Sequence, residues 1–435
     1  MSVLGIINSD PDIKKRIQAA FTEAPSLDLE LKFLSEKEAI SEFLNYEMPE
    51  IVIINFSDPK IDIPYVAAHI KNDKWLLNFG IVGIFNSEKD SEEKLLAQYK
   101  DINVLAILDY YRLRSHLVKN IEIIMENYQI IFQREFTKDI IGGVTGSFTL
   151  ENDLLAVPLY ASIGATILAQ RGFINPDSKM HLQLALDELL VNAIEHGNCA
   201  ISFEEKTAAM EEGKSVVDLV NEKCQNPRIR VKKVEFQWDI RKDKTIFTIR
   251  DKGKGFDVAE HLKKIEEQDI MSLHGRGIRM ASMFSSSLKY NKKGNQVKLT
   301  VLHDASVERK VPAGFSREQL ISVKKGETVL WENESSDYLY YISSGKYSVY
   351  HDKKLVGSLT AQDIFMGEMS FLLNQKRSAS VKADGPGKLV RLSRKNFINI
   401  IRQYPHYGIF LSRLLAKRLV RSNEQNAKLS EQLNI

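Results

Sequence analysis

Along residues 1–112, short apolar runs alternate with amphipathic stretches. The runs are Val3–Ile7, Ile51–Phe56, Gly80–Phe85 and Val104–Leu108, separated by helix-like segments such as Asp12–Phe21 and Lys37–Asn45. Such an alternation predicts a doubly wound parallel sheet. From Leu113 to about Asp139 there is no Pro or Gly, and Leu117, Ile121, Ile124, Tyr128, Ile131 and Phe132 recur at helical spacing. This predicts one long helix, a linker over 113–141, ended by Gly142-Gly143.

Residues 145–303 read as a second α/β unit. Helix-like Met180–His196 precedes β-patterned Val231–Ile240, Thr245–Asp251 and Gln296–Leu302, and the polar stretch Ser202–Pro227 interrupts them as an inserted, helical excursion. From about Phe315 the pattern changes to short strands broken by turn residues at Gly326-Glu327, Ser344-Gly345 and Asp352-Lys353. A small β-barrel of jelly-roll type over 315–420 is expected there. It ends in helix-like Arg394–Gln403 and Tyr407–Leu433, divided by Pro405, with 421–435 as a polar helix end.

Composition narrows the class. A chain of 435 residues allows about three domains at ~150 residues each. With 43% hydrophobic and 27% charged residues, a largely disordered chain is excluded. A formal charge of +3 is too small to argue for nucleic acid or an anionic membrane. No apolar run approaches the roughly 20 residues of a bilayer span, and no basic, cleavable leader is visible, so a soluble cytoplasmic protein is expected. Cys199 and Cys224 are the only cysteines, which excludes a disulfide framework and a Cys-rich metal site. Cys199 is expected to be a buried, inert thiol.

The first domain resembles a response-regulator receiver. That family places carboxylates after its first strand to hold Mg²⁺ and a phosphate-accepting Asp after its third. Here those positions are Asn8-Ser9-Asp10 and Asn55, while Asn86 and Asp109 stand where the family has Thr/Ser and Lys. An amide cannot form an acyl phosphate, and one carboxylate binds Mg²⁺ poorly. The resemblance therefore implies a pseudo-receiver used for docking or dimerisation, with Asp10 and Asp58 in capping or surface roles.

The strongest motifs lie in residues 145–303. Glu188, Asn192 and His196 are spaced i, i+4 and i+8, on one face of a helix whose packed faces are supplied by Leu184, Leu186, Leu189, Leu190 and Ala193. A polar stripe on a helix apolar enough to be buried requires partners. Asp251-Lys-Gly-Lys-Gly255 then leaves a strand, and His274-Gly-Arg-Gly-Ile278 follows. Glycines there let backbone N–H groups approach phosphates closely. In this order the set resembles the GHKL ATPases, and within them the serine kinases that act as anti-sigma factors. The resemblance implies an α/β-sandwich ATPase fold, Asn192 on the Mg²⁺ of Mg-ATP, Glu188 as general base and Asp251 on the adenine. Gly253 and Gly255 would shape the adenine-side loop, with Gly275, Arg276 and Gly277 beside the phosphates. Asn295 stands where many members carry Thr.

Residues 315–420 carry Phe365-Met-Gly-Glu-Met-Ser-Phe-Leu-Leu-Asn-Gln-Lys-Arg-Ser-Ala-Ser-Val-Lys-Ala383. This is similar to the phosphate-binding cassette of cyclic-nucleotide-binding domains. The resemblance puts Arg377 on the cyclic phosphate and Glu368 on the ribose 2′-hydroxyl. Gly367, Ser378 and Ala379 would complete the cradle for cAMP or cGMP. Gln362-Asp363 stands where the family has Gly-Asp, and the family often has one fewer residue before Gly-Glu.

Together these imply a multidomain α/β kinase regulated by cyclic nucleotide, whose partners are a STAS-type anti-sigma antagonist and a sigma factor. A homodimer through the linker or C-terminal helices is expected. Two alternatives stay open: a non-catalytic scaffold responsive to both nucleotides, and a histidine kinase using His116, which lacks the acidic residue and Pro that such motifs carry. His116 is expected on a solvated helix face.

Overall fold

The computed structural model describes residues 2–23, 27, 29–73, 77–132, 144–241, 243–258, 286–304, 311–335 and 337–416. The chain divides into two compact units: Met1–Phe33, Glu50–Pro59 and Gly80–Val307 form one, and Leu34–Pro49, Lys60–Phe79 and Glu308–Ile435 the other.

The first unit opens with a five-stranded sheet of β1 (Ser2–Ile7), β2 (Leu29–Leu34), β3 (Ile51–Asn55), β4 (Gly80–Phe85) and β5 (Val104–Asp109), in the order β2-β1-β3-β4-β5. The pairings β1–β3, β3–β4 and β4–β5 are parallel. The order is compatible with a receiver-like domain. All residues of β3 and β4 are buried, which is why they read as continuous apolar runs.

Helix α1 spans Pro11–Thr22. Helices α2 (Lys37–Tyr46) and α3 (Ile63–Asn72) belong to the second unit, and α4 spans Glu92–Gln98. Helix α5, Leu113–Phe132, was expected as a linker between domains. Instead Leu113, Leu117, Ile121 and Ile124 are buried in the core of the first unit, so most of that segment is a packed element. Residues 133–143, including Gly142-Gly143, lie outside the described residues.

A second five-stranded sheet follows in the same unit: β6 (Val144–Leu150), β7 (Val234–Ile240), β8 (Lys244–Arg250), β9 (Ser287–Tyr290) and β10 (Gln296–Leu302), ordered β6-β7-β8-β10-β9 and antiparallel throughout. Helix α6 (Val157–Gln170) is buried on nearly every side. One side meets the antiparallel sheet, where a Cβ on Gly164 would lie 2.9 Å from the Phe236 ring. The other meets β5, where Ser162 Oγ donates to the Val104 carbonyl at 3.3 Å and Gln170 Nε2 to Asn103 Oδ1 at 2.8 Å. A helix apolar all round needs cover on all faces, and the parallel sheet's last strand supplies it. One hydrophobic core therefore runs through the unit, from Leu4 to Val301.

Helix α7 (Pro176–Asn192) is followed by a π-helical turn, Ala193–Asn198. The insertion is helical as expected: α8 (Phe203–Glu211), α9 (Val216–Cys224) and α10 (Pro227–Arg230).

In the second unit, two four-stranded sheets make the jelly roll. Its strands are β11 (Gln319–Val323), β12 (Thr328–Leu330), β13 (Tyr338–Ser344), β14 (Lys346–His351), β15 (Lys354–Thr360), β16 (Phe365–Met366), β17 (Ser380–Ala383) and β18 (Gly387–Ser393). They are ordered β11-β18-β13-β16 and β12-β17-β14-β15. Helix α11 (Glu368–Leu373) lies in the cassette, and α12 (Arg394–Gln403) follows the barrel. Residues 405–416 are helical, and their Tyr407 hydroxyl donates to Asp73 at 2.6 Å, both residues being buried.

Candidate functional sites

The receiver-like pocket is filled by an amide and hydroxyl network. Asn55 Nδ2 donates to Asn8 Oδ1 at 2.7 Å, and Asn55 Oδ1 accepts from the Tyr110 hydroxyl at 2.8 Å. Asp58, which is buried, accepts from the Ser9 N–H at 2.5 Å and the Ser9 hydroxyl at 2.7 Å. Asp10 caps α1 through the N–H groups of Asp12 and Ile13. Asp109 accepts from the N–H groups of Tyr111 and Arg112, and Asn86 from that of Glu88. Each position that the family uses for phosphotransfer thus has a local structural bond. Acetyl phosphate with Mg²⁺ should leave residues 1–112 unmodified by mass spectrometry. A labile, phosphate-sized adduct at Asp58 or Asp10 would contradict this.

The ATP-site candidates assemble around the end of α7. Glu188 and Asn192 stand one turn apart and are half-buried. The π-turn then replaces i→i+4 with i→i+5 spacing, so His196 leaves the stripe that the sequence pattern predicted. It is exposed, and its Nδ1 lies 2.7 Å from the Ile201 carbonyl. Glu195 turns inward in its place and pairs with Lys206 of the inserted α8 at 2.7 Å.

Asp251 is buried where β8 ends, and burial raises its pKa despite the Gly253 N–H donated to Oδ1 at 2.7 Å. A Cβ on Gly197 would run into that carboxylate, and one on Gly253 into the Gly197 carbonyl. Glycine at 197 and 253 is what lets the π-turn and the Asp251 loop approach. Gly255, at φ +81°, sits directly on the Lys293 carbonyl. Asn295 Nδ2 donates to the Asp251 carbonyl at 3.1 Å and holds the loop. Gly275, Arg276 and Gly277 lie outside the described residues.

Sequence reasoning missed several groups here. Asn198 is fully buried, donates to Asn152 Oδ1 at 2.8 Å, and accepts from the Lys252 N–H at 2.8 Å. That bond ties the helix end to the loop bearing Asp251. Asp187, beside Glu188, is raised to about 7 by burial, with Glu92 and Glu188 adding negative charge. Burial pushes the Tyr290 hydroxyl to about 12, and the nearby Glu188 adds to it. The neighbouring Asn in Gly-Asn198 was a visible signal. Asp187 and Tyr290 carried none, because their environments are tertiary.

His116, on α5, is not on a solvated face. Its side chain is 12% exposed with Nε2 4.0 Å from Asp153, and burial lowers its pKa.

In the barrel, Arg377 is 3% exposed. One terminal nitrogen donates to the Gly367 carbonyl at 2.7 Å and Ser370 Oγ at 2.6 Å, the other to the Tyr338 carbonyl at 2.6 Å. A Cβ on Gly367, at φ +77°, would meet the guanidinium. Burial lowers the Arg377 pKa, while Tyr340 and Glu368 counter it. Glu368 begins α11, Ser378 is exposed, and Ala379 is half-buried. Just before the cassette, Ile364 lies at φ +67°, the left-handed region a β-branched residue rarely adopts.

Residues 150–301 match the family model for the histidine kinase-like ATPase domain, and residues 320–404 that for the cyclic nucleotide-binding domain. Over 85 residues the chain is 35% identical to a cGMP-dependent protein kinase of Plasmodium berghei, covering 20% of this chain and 10% of that one. Over 108 residues it is 31% identical to the cAMP-activated global transcriptional regulator CRP of Pasteurella multocida, covering 24% and 52%. The crystal structure of Thermus thermophilus catabolite activator protein aligns at 27% identity and a TM-score of 0.25, covering 27% of this chain and 57% of that one. The chain thus spans a tenth to about half of these curated relatives. Among the described residues, no helix is long and apolar enough to cross a membrane.

Proposed function

We propose that this chain, which carries a histidine-kinase-like ATPase domain and a cyclic-nucleotide-binding domain, is a protein serine kinase of the anti-sigma type. Its substrate is a hydroxyl of a STAS-type antagonist, and a cyclic nucleotide regulates it. The observation that carries the catalytic part is the pairing of Glu188 and Asn192 one turn apart on α7, beside a buried Asp251 that Gly197 and Gly253 let close.

Those groups fit Mg-ATP. The Asn192 amide oxygen would hold the metal, and the Asp251 carboxylate would accept a hydrogen bond from the adenine amino group. Bound Mg²⁺ supplies charge neutralisation on the phosphates. Glu188 would take the proton of the incoming serine hydroxyl as its oxygen attacks the γ-phosphorus, the bond from that phosphorus to the β-phosphate oxygen breaks and ADP leaves. Asn198 and Asn295 keep the Asp251 loop in place from either side. In the barrel, a cyclic phosphate would take over donors of Arg377 that now serve Gly367, Ser370 and Tyr338.

A general base contributes about 10²–10⁴-fold. Glu188→Gln should therefore lower phosphotransfer by about 100-fold or more while Mg-ATP affinity holds. Transfer at the unmutated rate would remove Glu188 from the chemistry. Mg-ATP binding without transfer by the unmutated chain would select the scaffold instead.

A further inference from the structure

Helices α2 and α3 come from the receiver-like stretch, yet both belong to the compact unit of the barrel. There they meet the helix of residues 405–416. The Tyr407 hydroxyl donates to Asp73 Oδ1, at the end of α3, across 2.6 Å, and the two residues are 334 positions apart in the chain. The same hydroxyl accepts from the Gly314 N–H at 3.2 Å, and the Phe315 ring lies 5.6 Å from that of Tyr407. Arg413 donates to the carbonyls of Tyr46 and Glu47, at the end of α2, at 3.4 and 3.2 Å. One helix thus ties the segment leading into the barrel to two receiver-like helices.

Beside Tyr407, His406 is 6% exposed, and its Nε2 has no hydrogen-bond partner among the described residues. Its ring stands edge-on to Tyr46 of α2 at 6.3 Å, to Tyr404 at 6.0 Å and to Tyr407 at 4.9 Å. From α3, Asp73 and His69 act on it electrostatically. Asp73 already takes the Tyr407 hydroxyl, and His69 Nε2 lies 3.1 Å from Asn45 Oδ1. A neutral imidazole fits these aromatic surroundings. An imidazolium adds a charge, and its Nε2–H finds no acceptor there. Burial holds His406 below the ordinary histidine value of 6.5, opposed by Asp73 and helped by His69.

We propose that α2 and α3 form a docking surface for this chain's own 405–416 helix, a latch that mild acid opens by protonating His406. The partner is internal, and neither nucleotide site enters the latch. Once released from α2 and α3, the imidazole regains its ordinary, higher pKa, so opening takes up a proton. The docked state is therefore fully favoured above pH 6.5 and weakens as pH falls below it. One proton allows a gain of up to about tenfold in the open fraction between pH 7.5 and 5.5. Opening also parts the Tyr407–Asp73 bond, and each buried group then turns to water.

The test is amide hydrogen exchange of the full chain at pH 7.5 and 5.5, with protection corrected for the direct effect of pH on exchange. Protection of residues 405–416 should fall in acid by up to about tenfold, while the barrel strands β13 and β18 keep theirs. His406→Phe keeps the ring contacts and removes the titrating nitrogens, so it should lose most of that fall. Tyr407→Phe keeps the ring on Phe315 and loses the bond to Asp73, so its 405–416 helix should be poorly protected at both pH values. Protection indifferent to pH in the unmutated chain, an equal fall in His406→Phe, or full protection in Tyr407→Phe would each overturn the latch.

Discussion

Asn192→Ala should weaken Mg-ATP binding by about 100-fold or more, a loss of about 2.8 kcal/mol. Asn192 is the one side chain in the motif set assigned to the metal, and Mg²⁺ tolerates little loss of geometry among its few protein oxygens. The substitution should spare the fold. Asn192 is half-buried at the end of α7, and alanine is the best helix former. Calorimetry of the full chain with Mg-ATP, alongside a thermal melt, separates the two effects. Unchanged affinity would remove α7 from the nucleotide site.

Arg377→Ala should have two separable consequences. The first is loss of the cyclic-nucleotide response, because no other side chain assigned to the cassette offers a forked cation to a phosphate. The second is a less stable barrel. The carbonyls of Gly367 and Tyr338 and the Ser370 hydroxyl lose a buried donor, and each such group left unpaired costs about 1–3 kcal/mol. Mg-ATP affinity without cyclic nucleotide should stay as in the unmutated chain, since Asn192 and Asp251 belong to the other compact unit. A ligand shifts activity only by its differential affinity for two states, so the lost response should be of the usual 5- to 150-fold size. Arg377→Lys keeps the charge without the fork. It should retain stability better than it retains the response. An Arg377→Ala chain that still responds to cAMP or cGMP would remove the guanidinium from the site.

What the sequence carried, and what it could not, follows from where each element sits. The central strands β3 and β4 are buried on both faces, so they announce themselves as apolar runs. Strand β2, Leu-Glu-Leu-Lys-Phe-Leu, lies at the sheet edge with alternating burial; its signal is period two, and a search for apolar runs passes over it. The short β9 is likewise an edge strand. Helix α5 had the right periodicity and the wrong inference, because an apolar stripe says that a face is covered and not by what. The order and spacing of Glu188, Asn192 and Asp251 were legible. The π-turn was not. It is the Glu195–Lys206 pair and the close seating of Gly197 on Asp251 that accompany the wider turn, and both are tertiary. For the same reason the bond from Asn295 to the Asp251 carbonyl could not be read from the sequence.

The proposed function is transfer of phosphate from ATP under the control of a cyclic nucleotide. Its most direct measurement is label transfer from [γ-³²P]ATP by the full chain to a STAS-domain antagonist carrying its target serine, without nucleotide and with saturating cAMP or cGMP. Serine-linked label whose rate changes at least fivefold with one of the two is expected; label that never appears, or a rate indifferent to both, would overturn that function.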